Sequence, residues 1–358
     1  MTLEDQIDLK VGEVRTDSLD LSFGEIGNLR KSKELVIQPE YQRLFRWSIE
    51  QKSRLIESIL LELPIPQIFV IENSDGVYEL IDGLQRISSV LQFVDATLID
   101  LESFSLDGCD IIEELNGKSF SDLPLSLKLR LKRSTLRTIV IKRQSKSFLR
   151  YEMFKRLNTG GSLLSPQEIR NCSARMLGDY GATFYSFLKE LSENVDFKTT
   201  TQTIAQEDLD QKANEELVLR FFAAKNAAPS FKGSVRDWLD DFMEGILLEK
   251  VAFDLQAERT IFANLFSEIS SKLGITAFVK YRGDNPMGGL APAYFEAIAI
   301  GCFQAFDYLR GKDQTSIRSA ITQLVQSEPF RAVTGPGANS VTKLAKRIDL
   351  AKSAIINA

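Results

Sequence analysis

Between residues 48 and 94 the apolar positions change period twice, marking out a helix, a pair of strands and a second helix. Ser48-Ile49-Glu50-Gln51 has the spacing of a capping box, in which the Ser and Gln side chains each satisfy a backbone N–H of the other residue. Behind it Leu55, Ile56, Ile59, Leu60 and Leu63 fall on one helical face, and Pro64 and Pro66 end the run. Residues 67–72 and 77–81 are β-rich, and Asn73-Ser74-Asp75-Gly76 between them has hairpin chemistry. Asp82-Gly83 then turns the chain into an amphipathic helix around residues 85–94. Residues 95–127 keep no period and read as an irregular excursion. A further strand is predicted at 136–141 and a helix at 148–157.

Leu157-Asn158-Thr159-Gly160-Gly161 reads as a loop, and Ser165-Pro166-Gln167-Glu168 as a helix start with Ser as N-cap, Pro first and Glu third. Beyond it helical spacing or composition recurs at 215–225, 235–248, 257–273, 291–309 and 341–357. The pattern predicts an α+β chain, its first part mixed and its second mostly helical. The boundary falls near 165–175, which gives domains of residues 1–170 and 171–358 packed closely together.

A length of 358 residues suits about two domains, and 44% hydrophobic with 26% charged residues is ordinary for a globular protein. No uncharged apolar run approaches the ~18–20 residues that span a bilayer. The most apolar early stretch, residues 55–71, is broken by Glu57, Glu62, Pro64 and Pro66. The acidic N-terminus lacks a signal-peptide core. Cys109, Cys172 and Cys302 are odd in number and widely spaced, and read as free thiols in a reducing cytoplasm. These features predict a cytoplasmic protein with no membrane partner.

Histidine is absent altogether. This removes Ser/His and Cys/His nucleophile pairs, His-ligated zinc and the imidazole general base. Charge is uneven as well. The net charge is −5, yet Lys128 to Arg156 holds eleven Lys or Arg against one acid, Glu152. Arg130, Lys132, Arg133, Lys142 and Arg143 of this band are candidate nucleic-acid contacts. A solvated helix–strand surface is the alternative.

Asp82-Gly83-Leu84-Gln85-Arg86 lies between a predicted strand and a predicted helix, where free N–H groups face anions. Gly83 permits close backbone approach, Arg86 supplies a phosphate fork, and Asp82 and Gln85 can orient a Mg²⁺ ion or a water. The plainer alternative is a turn in which Asp82 caps the helix and Arg86 is a surface charge. Pro39-Glu40-Tyr41-Gln42-Arg43, followed by Phe45, Arg46 and Trp47, offers an Arg-aromatic cluster that serves either a nucleotide or the core. Asn158, Thr159, Gly160 and Gly161 form a second candidate anion cradle without the Walker pattern. Glu168 is either a base or a capping-box residue, the second being simpler. Residues 334–339 with Lys343, Lys346 and Arg347 are either an anion site or a loop before a basic helix.

PEYQRLFRW, LIESILLELPIPQIFV, YELIDGLQRISSVLQF and FKRLNTGGSLLSPQEIRN, in this order, resemble the N-terminal domain of GmrSD-type modification-dependent restriction endonucleases. The resemblance covers roughly residues 30–175 and implies a ParB/sulfiredoxin-like fold. It implies NTP binding and hydrolysis at Asp82, Gly83, Gln85 and Arg86, with Gln42, Arg43 and Asn158 to Gly161 as neighbours and Mg²⁺ accompanying the nucleotide. The family reads Asp-Gly-Gln-Gln-Arg where this chain has Leu84, a departure that bears on turnover. The family's fused HNH nuclease needs histidine and is not expected here.

The expectation is therefore a nucleotide-binding, NTP-hydrolysing component of a restriction or anti-phage system. It acts on DNA with a separate effector, such as a nuclease. The alternatives are a non-enzymatic nucleic-acid sensor or toxin-neutralising subunit, and a weak Mg²⁺-dependent nuclease.

Overall fold

The computed structural model describes residues 2–5, 15–37, 47–73, 75–142, 153, 156, 165–175, 177–335 and 337–358. The contacts divide the chain into two compact units, Met1–Leu163 and Leu164–Ala358.

In the first unit a five-stranded mixed sheet carries the helices. Its elements run β1 (Thr16–Ser22), α1 (Phe23–Lys31), β2 (Leu35–Val36), α2 (Ile49–Leu60), β3 (Ile68–Glu72), β4 (Tyr78–Asp82), α3 (Leu84–Asp95), α4 (Leu125–Arg133) and β5 (Thr135–Ile141). The strand order is β1-β5-β3-β4-β2. β3 is antiparallel to β4 and parallel to β5, β2 is parallel to β4, and β1 closes the edge antiparallel to β5. The inner strands are β-branched and apolar because helices cover them. Ile68, Val70, Ile71, Leu80, Ile81, Val140 and Ile141 are all buried.

The capping box of α2 forms as its spacing predicts: Ser48 Oγ accepts from Gln51 N–H, and Gln51 Oε1 accepts from Ser48 N–H. Leu55, Ile56, Ile59 and Leu60 are buried, but Leu63 lies past the helix and is 44% exposed. The face contains two polar residues as well. Ser53 and Glu57 are buried one turn apart, and both receive backbone N–H groups of the excursion that precedes α4. Asp107 N–H donates to Ser53 Oγ at 2.9 Å, and Ile111 and Ile112 N–H both donate to Glu57 Oε1, at 3.1 and 2.7 Å. Gln92 of α3 donates to Glu102 O at 2.7 Å. The stretch that looked irregular is thus stapled to two helices by side chains. Its C-terminal end is α4 itself, where no helix was expected.

β1 carries little hydrophobic signal because it is an exposed edge strand. Charge holds it. Asp20 sits opposite Arg137 and accepts from its Nε at 3.1 Å, while Asp17 accepts from Lys142 Nζ at 3.0 Å. The Arg137 bond holds the exposed Asp20 carboxyl below its usual range.

The second unit is built almost entirely of helices: α5 (Pro166–Arg175), α6 (Gly178–Ser192), α7 (Val195–Thr200), α8 (Gln206–Asp210), α9 (Ala213–Ala227), α10 (Val235–Leu247), α11 (Leu255–Leu273), α12 (Pro292–Gln304), α13 (Phe306–Gly311), α14 (Gln314–Gln326), α15 (Glu328–Thr334) and α16 (Val341–Ile356). A hairpin of β6 (Lys280–Arg282) and β7 (Asn285–Met287) interrupts them. The single helix expected over 291–309 breaks at Ala305 into α12 and α13. The core is phenylalanine-rich, with Phe221, Phe222, Phe262, Phe266 and Phe295 among the fully buried rings. Phe262 and Phe266 lie 4.3 Å apart between centroids. α12 and α16 pack closely at Gly301, where a Cβ would stand 2.7 Å from Ala351 Cβ.

An alternating chain of charges crosses this apolar core. Asp240 holds Arg170 at 2.7 Å, Arg170 reaches Glu216 at 3.1 Å, and Glu216 holds Arg220 at 2.7 Å. Arg220 holds Glu296 at 2.7 Å, and Glu296 pairs with Arg347. The members come from α5, α9, α10, α12 and α16, and every ion pair but Glu216–Arg220, which lies within α9, ties two helices.

Candidate functional site

The Asp82–Arg86 segment is shaped by the strand before it. Phe69 pairs with Asp82 while Val70 pairs with Leu80, so the ladder skips Ile81 and bulges. A bulge at a strand end turns the following residue out of the regular ladder. Gly83 follows at φ 102°, a conformation L side chains rarely adopt, and a Cβ there would lie 2.2 Å from Ile68 Cγ2. Glycine is thus required twice, for its dihedral and for the β3 side chain against it. α3 begins at Leu84 with no side chain capping its first turn.

The side chains of the segment face one another and the motifs around them. Arg86 Nη2 donates to Asp82 Oδ2 at 2.7 Å and to Gln67 O at 3.0 Å, while its buried Nε has no hydrogen-bond partner. Gln85 Oε1 accepts from Trp47 N–H at 3.3 Å. Asp82 does not cap the helix, and Arg86, its side chain only 18% exposed, is no simple surface charge. Both halves of the plainer alternative are corrected, because the two residues pair with each other. Three of the four motifs therefore meet here: Trp47 from the first, Gln67 and Ile68 from the second, and residues 82–86 from the third.

Gln42, Arg43, Arg143, Asn158, Thr159, Gly160 and Gly161 lie outside the described residues, as do Tyr41, Phe45 and most of the helix expected at 148–157. Of the fourth motif, Ser165 and Glu168 form a reciprocal capping box at 2.7 and 3.2 Å, and Glu168 is 2% exposed. That geometry suits the capping role foreseen for it. Its neighbour Arg170 anchors the charge chain of the helical unit.

The basic band separates into distinct uses. Arg137 and Lys142 hold the acidic edge strand β1. Arg130 lies 3.7 Å from Glu62 and donates to Leu60 O, and Lys132 sits 5.5 Å from the Phe120 ring centroid. Arg130, Lys132 and Arg133 occupy the last turn of α4, where the helix dipole favours cations. Arg130 and Arg133 also line a groove of about 440 Å³ beside Leu63, Pro64 and Ser134. The late anion-site candidate is corrected. Arg347 is 1% exposed and bound to Glu296 and Ala338 O, and Lys343 bonds Gly337 O.

Among the described residues no group of three or more Asp, Glu or Cys could hold a metal ion. A nucleotide brings phosphate oxygens of its own, and Mg²⁺ is commonly held by one or two carboxylates with phosphates and waters. Asp82 fits that mode once Arg86 releases its Oδ2. Cys109, Cys172 and Cys302 are buried, and burial raises the Cys109 thiol to about 11. No described helix is long and apolar enough to cross a membrane.

Residues 25–174 match the family model of the GmrSD restriction endonuclease N-terminal domain. Over those residues the chain is similar to a GmrSD N-terminal domain. The match takes in all four motifs and ends inside α5, so the GmrSD signature includes the first helix of the second unit. Comparison with curated proteins gives no match, and comparison with solved structures gives none.

Proposed function

We propose that the protein is a nucleotide-binding, NTP-hydrolysing component of a restriction or anti-phage system, acting on DNA together with a separate effector. The single observation behind this reading is the convergence of three GmrSD motifs on an uncapped helix entrance that presents Arg86. Free N–H groups at a helix start and a guanidinium fork are the two devices that proteins use for phosphate. Asp82 and Gln85 would position Mg²⁺ and water there, with Gln42, Arg43 and the 158–161 loop as further phosphate contacts. Mg²⁺ bound with the nucleotide would offset phosphate charge. The ParB/sulfiredoxin-like fold is part of the same proposal, as are a cytoplasmic location and DNA contacts from Arg130, Lys132, Arg133, Lys142 and Arg143. Among the described ones Arg133 is the most available, since it is exposed and forms neither an ion pair nor the ring contact that Lys132 makes with Phe120.

One observation favours a second reading, a nucleic-acid sensor that binds without turnover. Asp82 gives an oxygen to Arg86 and Leu84 replaces the family's Gln, so neither stands ready for hydrolysis.

Phosphate release with each NTP and Mg²⁺, with and without DNA, separates the two. Hydrolysis that is lost in Asp82→Asn supports the first reading. Binding of NTP by calorimetry without any phosphate release supports the second, and no binding of any NTP overturns the nucleotide role altogether.

A further inference from the structure

We infer that the helical unit carries a groove for an unpaired DNA strand, formed by Lys280, Arg282 and Arg331 around Tyr281 and Tyr294. The inference rests on the preceding reading only for the choice of DNA as the nucleic acid. Lys280 and Arg282 alternate with Tyr281 along β6, and all three line a groove of about 360 Å³. Arg331 and Thr334 of α15 form the opposite wall. Tyr294 also lines it, 5% exposed and edge-on to Phe330 at 5.1 Å between centroids.

Charge sets this groove apart. No Asp or Glu lines it, and Lys280, Arg282 and Arg331 form no ion pair among the described residues. Elsewhere in the same unit Arg170, Arg220, Lys225 and Arg259 each hold a carboxylate within 3.1 Å. In a chain of net charge −5, three unneutralised cations around one concavity focus positive potential on it.

Size and lining then select the ligand. Tyr281 separates this groove from a second one of about 840 Å³, lined by Arg318, Gln323, Thr315 and Gln326. Among the described residues, Asp284 at the hairpin turn is the only acid lining that second groove. The wall between them is fixed: Gln326 holds both N–H and C=O of Gly283, at 2.8 and 3.0 Å, and Tyr281 Oη donates to Thr276 O at 3.4 Å. A concavity of 360 Å³ has the size of a small-ligand site and does not admit a duplex. Phosphates tracking along cations beside aromatic rings is the pattern of single-strand binding.

The test uses the full chain without nucleotide and measures fluorescence anisotropy with a labelled oligothymidylate and with a duplex. The expected result is binding of the single strand in preference to the duplex. Three phosphate contacts should give a slope of log K against log salt of about −2. Replacing Lys280, Arg282 and Arg331 together by Glu should weaken strand binding at least about 30-fold, and flatten that slope. This is less than the ~10-fold per contact of fully formed charge-assisted bonds, because the groove is open to solvent. All three side chains are exposed, so the melting temperature should hold; the gentler Arg282→Ala should still weaken binding severalfold. Arg130→Glu/Arg133→Glu is run in parallel. If that variant abolishes strand binding and the groove variant does not, the groove is overturned while action on DNA stands. If the wild type binds neither form of DNA, both readings fall. A duplex bound as well as the strand also overturns the groove as a single-strand site.

Discussion

Arg86 illustrates how one side chain answers to two demands. It bonds Asp82 and the Gln67 carbonyl, so it supports the β3–α3 junction as well as facing the helix entrance. Arg86→Ala is therefore expected to cost about 1.5–3 kcal/mol of stability through lost charge-assisted bonds. The same change should weaken NTP binding by roughly 10–150-fold. Arg86→Lys keeps a cation and should recover part of the binding but not the two-acceptor geometry. Calorimetric titration of both variants, with urea melts alongside, checks this. Full retention of affinity in Arg86→Ala would sink the phosphate role. Gly83 admits a cleaner expectation. Gly83→Ala combines a left-handed backbone, roughly 1–2 kcal/mol, with a contact of 2.2 Å against Ile68. Chemical denaturation should show a loss of about 2–4 kcal/mol in all. Adding Ile68→Ala should relieve the steric part alone, so the pair should be less destabilised than the sum of the singles.

At the level of elements, the helices and strands that bury one face were legible, and those held by polar contacts were not. α2, the β3–β4 hairpin, α3 and β5 follow the apolar period closely. β1 escaped because its partners are charges, Asp20 with Arg137 and Asp17 with Lys142, and an exposed edge strand needs no hydrophobic alternation. The basic band shows the same limit: composition counts cations without showing that β1 neutralises two of them. The excursion before α4 looked shapeless because Ser53, Glu57 and Gln92 hold it, and isolated polar residues on a helix face carry no periodic signal. Of the candidate site, the Asp82–Arg86 segment was visible, but its Asp82–Arg86 and Gln85–Trp47 pairings were not, since they depend on the bulge at Ile81. The Lys280-Tyr281-Arg282 alternation before a Gly-Asp-Asn turn was a signal available in the sequence and too short to stand out. Glu57→Ala tests the stapling. It leaves the Ile111 and Ile112 N–H groups without their acceptor, at about 1–3 kcal/mol each when unsatisfied. Hydrogen exchange at those two amides should accelerate markedly, with the sheet amides of β3 unchanged. Equal acceleration in both places would mean Glu57 supports the whole unit and not the excursion.

Across the molecule the charge chain of the helical unit is the feature with the widest reach. Burial disfavours the ionised Glu216, but Arg220 and Arg170 more than offset it, and its carboxyl titrates below the ordinary glutamate range. A depressed value means stability that is present above the unfolded-state pKa of about 4.3 and lost as pH falls through the folded value. Glu216→Gln should thus lower stability at neutral pH by about 3–5 kcal/mol, the cost of breaking a buried pair. It should also flatten the acid limb of the stability–pH curve below pH 5. Urea melts at pH 7 and pH 4 measure both, and an unchanged acid limb would exclude Glu216 as its origin. Because Arg170 belongs to the GmrSD signature yet holds Asp240 and Glu216, a chain cut at the end of the family match leaves that guanidinium without either carboxylate. Such a fragment should keep the sheet but not α5, as circular dichroism and amide exchange would show.

The sheet also has a history written into its order. Thr16 pairs with Ile141 and Ser22 with Thr135, so of the five strands of this sheet the earliest in the chain is satisfied by the latest. At roughly 5–20 residues per second, β1 waits on the order of ten seconds on the ribosome before its partner emerges. In the latter half of that interval the core strands β3 and β4 are available to each other, while the parallel neighbour of β3 is still missing. The acidic character of β1 acquires a second meaning in this light. Asp17 and Asp20 keep the waiting segment hydrated and poor at pairing with foreign edges, until Arg137 and Lys142 arrive to claim it.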